Sequence, residues 1–74
     1  MAEERQPLER VTVNLVPRSS KALQLAVDIT GDTKTDTINR AIQMYAFLEE
    51  TVRQGGSILV RDAPGGDVQI IRWY

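Results

Sequence analysis

Cysteine and histidine are both absent from these 74 residues. Without cysteine there is no disulfide and no thiolate metal site, and the gap fits a reducing, cytoplasmic setting. Without histidine, zinc-type ligand sets and the commonest general base are missing as well. Long apolar runs are also lacking, so neither a leader peptide nor a membrane span is expected. Charge of one sign is not in excess: nine Lys and Arg face ten Asp and Glu, a net charge of −1. A nucleic-acid binder usually shows a basic domain. Phosphate contact here therefore requires local gathering, with Arg5, Arg10, Arg18, Lys21 and Lys34 on one side and Glu49, Glu50, Asp62 and Asp67 elsewhere.

What remains for catalysis is Asp, Glu, Ser and Lys, and nothing is arranged for it. No nucleophile–base pair, metal-ligand set or phosphate loop can be assembled, so neither an enzyme, a metal nor a cofactor is expected. The length allows one small domain, whose single core is marginal without staples. Oligomerisation is the staple left.

The most informative segment is Arg10-Val11-Thr12-Val13-Asn14-Leu15. Apolar Val11, Val13 and Leu15 alternate with polar Arg10, Thr12 and Asn14, the pattern of a strand with one covered and one open face. Six residues cannot stand alone as a strand, and two helical stretches follow. Pairing with the same strand of a second copy completes it, giving a two-stranded ribbon of a width that fits the major groove of B-DNA. Residues 1–9, which contain Pro7 and have no periodicity, read as a flexible arm.

Pro17 blocks further pairing and can open a helix. With Ser19 or Ser20 as N-cap, a first helix is expected from about Ser19 to Ile29, ended by Gly31. Thr33-Lys34-Thr35-Asp36 reads as a capping box in which the Thr33 hydroxyl accepts from the Asp36 amide and the Asp36 carboxylate reaches back. The second helix runs to about Gln54. Its apolar stripe is Ile38, Ala41, Ile42, Tyr45, Leu48 and Val52, with Met44 and Phe47 to one side. Arg40 falls away from the stripe, where water solvates it. Residues 57–62 and 67–74 flank Ala63-Pro64-Gly65-Gly66, a hairpin signal. Pairing Asp62 with Asp67 puts Ile58, Val60, Ile71 and Trp73 on one face. Leu59, Val68 and Ile70 share the other with Arg61 and Arg72. Trp73 is expected as an apolar lid over the end of the second helix.

Together, residues 10 to about 53 resemble the ribbon-helix-helix family of DNA-binding proteins. The strand 10–15 and the turn Gly31-Asp-Thr-Lys-Thr-Asp-Thr-Ile38 carry the likeness, over roughly 60% of the chain. The resemblance implies an α+β, mostly α fold: an intertwined homodimer of residues 10–54, to which 55–74 add a C-terminal β-hairpin. It makes Arg10, Thr12 and Asn14 the base-reading residues. Arg suits guanine, Asn suits adenine, and Thr donates, accepts or touches a thymine methyl. It places a phosphate clamp at Thr33, Lys34 and Thr35, on free amides at a helix N-terminus. Asp32 and Asp36 depart from this scheme, since they set negative charge beside that anion site; capping explains Asp36 but not Asp32. The dimer core implied is Val11, Val13, Leu15, Ile38, Ala41, Ile42, Tyr45 and Leu48.

The function expected from this is a homodimeric, sequence-specific regulator, a repressor, bound to double-stranded DNA with two dimers side by side on repeated half-sites. The alternative is a protein-interaction module, such as an antitoxin or a dimerisation domain, with a protein partner on the C-terminal hairpin. Taken by themselves, the polar side chains of 10–15 also fit a merely solvated strand face.

Overall fold

Pro17 begins the regular structure. Its ring holds φ at a helical value, and its missing amide costs nothing at the first helical position. In the computed structural model, which describes residues 7–74, helix α1 accordingly spans Pro17–Thr30. This corrects the expected start. The N-cap is Val16, extended and without a side-chain cap, and Ser19 and Ser20 lie inside the first turn. The helix ends at Gly31, whose φ of 77° suits a residue without Cβ and whose amide donates to the Val27 carbonyl at 2.8 Å.

Helix α2 spans Lys34–Arg53. Its N-cap is Thr33, as the sequence predicts, and the Thr33 hydroxyl accepts from the Asp36 amide at 3.0 Å. The reciprocal half of the capping box is not formed: among the described residues the Thr33 amide has no bond to the Asp36 carboxylate. Aspartate is one methylene shorter than the usual glutamate. Gln54 caps the other end, its amide bonding Glu50 O at 3.1 Å, and Gly55 follows with φ 89°.

Strands β1 (Ile58–Arg61) and β2 (Val68–Ile71) form an antiparallel hairpin in the expected register, with Ile58 opposite Ile71 and Arg61 opposite Val68. Extended by one residue, that register sets Asp62 against Asp67. Two carboxylates directly opposite repel, which accounts for strands that stop at Arg61 and Val68 on the turn side; at the other side they also stop short of the expected ends, at Ile58 and Ile71. Within the turn the Gly66 amide donates to Ala63 O at 2.8 Å.

Two helices and one two-stranded sheet thus make a small α+β chain, mostly helical. Helix α2 is the hub, touching both α1 and β1. Residues 7–16, including the expected strand 10–15, belong to no helix or strand here and do not join the hairpin. Of the expected N-terminal arm, residues 1–6 lie outside the described residues, Arg5 among them.

No described residue is buried, and none of the apolar side chains forms a closed core. The chain exposes 7045 Å², where a compact protein of its mass exposes about 4,600 Å². Its radius of gyration is 15.5 Å, against about 11 Å for a compact chain of this length. The fold as a single copy leaves bare the surface that hydrophobic stabilisation needs.

Candidate functional site

The segment that leads into residues 10–15 borders an open groove. Leu8, Glu9, Arg10 and Val11 form one wall, and Thr35, Ile38, Asn39 and Ile42 from the first turns of α2 form the other. Spacings of three and four put Thr35, Ile38 and Ile42 along adjoining rows of the helix surface. The groove therefore joins Val11, Ile38 and Ile42 from the expected dimer core to Arg10 and Thr35 from the expected DNA contacts. It is not filled by the chain itself: Val11, Val13 and Ile42 are 69%, 64% and 63% exposed. Leu15, Ile38, Ala41 and Tyr45 are exposed as well, whereas Leu48 is half-buried.

Arg10, Thr12 and Asn14 are all exposed and form no hydrogen bond among the described residues. The N-terminus of α2 is ordered by Thr33. That residue takes the Asp36 amide on its hydroxyl, and its carbonyl takes both the amide and the hydroxyl of Thr37, at 2.9 and 2.8 Å. The amides of Lys34 and Thr35 keep no acceptor among the described residues. With the helix dipole behind them, two free donors and the Lys34 ammonium favour an anion, while the Asp36 carboxylate in the same turn, which does not close the capping box, opposes one.

Asp32, unexplained by the sequence, has a partner. Its Oδ2 lies 3.1 Å from Nη1 of Arg40, two turns along α2. Arg40, expected to be solvated, is indeed exposed but ion-paired. The pair sets a cation against the negative charge of Asp32. A turn residue and a helical residue eight positions apart give no periodic signal, which is why sequence reasoning missed the contact.

Trp73 sits where the sequence places it, on α2. Its indole Nε1 donates to Glu49 Oε2 at 2.8 Å, and its ring lies 6.4 Å from Tyr45, centroid to centroid. Glu49 is held below the usual carboxylate range by its hydrogen bonds with the Tyr45 phenol and the Trp73 indole. The Tyr45 phenol is pushed up by the same hydrogen bond to Glu49. The role of Glu49 was not legible in the sequence, although positions 45 and 49 share a helix row.

No family model matches this chain, and no curated protein or solved structure matches it either. Among the described residues no helix is long and apolar enough to cross a membrane.

Proposed function

We propose that the chain is a ribbon-helix-helix, homodimeric DNA-binding regulator that represses transcription by laying paired 10–15 segments in the major groove. One observation carries this reading. Among the apolar side chains left bare in the single copy are Val11, Val13 and Leu15 of the alternating segment and Ile38, Ile42 and Tyr45 of the α2 stripe, and Val11 shares a groove with Ile38 and Ile42. A second copy covers both at once: strand 10–15 pairs with its twin, and Val11, Val13 and Leu15 turn inward over Ile38 and Ile42. Arg10, Thr12 and Asn14 are left outward for base edges, where residues two apart on one strand lie about 6.5 Å from each other. The unpaired amides of Lys34 and Thr35 suit flanking phosphates, with the Asp32–Arg40 pair lowering the repulsion that Asp32 introduces.

The test is retention of the chain's own genomic fragments at two salt concentrations. Specific binding with a log–log salt slope of about three to six per dimer is expected. Changing Thr12 and Asn14 together to Ala abolishes specific retention while leaving dimerisation and thermal stability nearly intact. Equal retention by that double variant overturns base reading by this segment.

The exposed outer hairpin face, with Leu59, Val68 and Ile70, favours a second reading, a protein-interaction module of the antitoxin kind. If no salt-sensitive DNA binding is found, that reading takes precedence.

A further inference from the structure

The hairpin is an addition to the 10–15 segment and the two helices, and its attachment is informative. The cross-strand register sets Ile58, Val60 and Ile71 on one sheet face, and Trp73 follows two residues beyond the end of β2. Trp73 docks on Tyr45 and Glu49. These two positions lie on the helix face that carries Ile38 and Ile42, at spacings of three and four. The apolar stripe of α2 and the inner hairpin face are therefore one continuous surface, joined at the indole. Ile58 and Trp73 are half-covered where the hairpin meets α2, but the rest of that surface is not closed off by the chain: Val60 is 41% and Ile71 37% exposed.

We propose that the occupant of this inner hairpin face is the second copy of the chain, so that the hairpin is a dimer clasp as well as an appendage. The inference rests on the homodimer proposed above, and two observations select a second copy over another partner. The first is continuity, since whatever lies along Ile38, Ile42 and Tyr45 meets Trp73, Val60 and Ile71 without a break. The second is area. The single copy exposes 7045 Å², roughly 2,500 Å² more than a compact chain of its size, so two copies hold about 5,000 Å² in excess, at the upper end of the roughly 2,000–5,000 Å² in total that obligate homodimers bury. A six-residue strand is a small part of such an interface, and the hairpin supplies further area on the same side.

The experiment uses the full chain and its single tryptophan. Sedimentation across a concentration series gives the dimer constant, and Trp73 emission is recorded on the same samples. Emission should shift to shorter wavelength in step with the dimer fraction, because the second copy removes water from the indole. The double variant Val60→Ser with Ile71→Ser should weaken the dimer at least tenfold. Leu59→Ser with Ile70→Ser, cross-strand partners on the outer face, should change it less than threefold. A dimer that forms with no change in Trp73 emission, or with both variant pairs equally affected or equally silent, overturns the clasp and leaves the ribbon dimer standing. A wild-type chain that stays monomeric overturns the dimer itself and the clasp with it. Should the inner-face variant fail to fold, the wild-type emission series still decides.

Discussion

At Asp32 and Glu49, single carboxylates do work that no local pattern announces. Asp32 holds Arg40 across a turn at 3.1 Å, with Arg40 exposed and Asp32 half-buried. Such a pair contributes about 0–1 kcal/mol, so Asp32→Asn should leave the melting temperature nearly unchanged. Its effect belongs to the neighbouring anion site. Loss of one negative charge near Lys34 should strengthen DNA binding and steepen its salt dependence, as a filter-binding titration would show; weaker binding would deny Lys34 and Thr35 a phosphate role. Glu49 accepts the Trp73 indole and is held below the ordinary carboxylate range by its hydrogen bonds to Tyr45 and Trp73. A depressed folded-state value stabilises above the unfolded value, and that contribution is lost as pH falls through the folded one. Acidification through and below the carboxylate range should therefore free the hairpin and shift Trp73 emission to longer wavelength. Glu49→Gln should remove this acid transition; an unchanged transition in that variant assigns it to another carboxylate.

Among the elements, caps and turns separate what the sequence specifies locally from what it does not. Thr33 caps α2, and Thr33→Ala should cost about 1 kcal/mol in thermal unfolding. Gly31 stands at φ 77° with open space around its missing Cβ, so Gly31→Ala is limited by backbone strain and should cost about 1 kcal/mol. Ser19→Ala and Ser20→Ala should each fall within about 0.5 kcal/mol of wild type, because Pro17 and not a serine starts α1; a full-cap loss at either serine would contradict that start. The same elements show what was readable. The 3.6-residue periodicity, the Thr33 cap and the two glycine stops located α2, and the Pro-Gly-Gly turn fixed the hairpin register. Each signal is short-range. The missed features either compete locally or span distance: proline outweighs serine at the first helical position, aspartate falls a methylene short of closing the capping box, and opposed Asp62 and Asp67 cut the strands short. The Asp32–Arg40 and Glu49–Trp73 contacts depend on how the chain folds back, which residue spacing does not encode.

For the whole molecule, the governing fact is a chain with no buried residue among those described and a radius of gyration of 15.5 Å. Marginal stability of a few kcal/mol requires apolar burial that one copy does not achieve. A partner that binds only the folded state raises apparent stability by mass action. The melting temperature should thus climb steadily as protein concentration rises a hundredfold; a concentration-independent value would mean that one copy is stable by itself. It follows also why the proposed DNA-contact residues were nameable from sequence while their geometry was not. Alternation in 10–15 is a property of one segment, whereas the pairing of the proposed ribbon belongs to two. The most direct measurement is isotope-filtered NMR on mixed labelled and unlabelled protein, read for contacts between copies. The account predicts antiparallel cross-copy contacts among residues 10–15, with Val11, Val13 and Leu15 also touching α2; signals from 10–15 typical of unpaired coil at concentrations where the protein is dimeric, or pairing of that segment with β1 or β2, would contradict it.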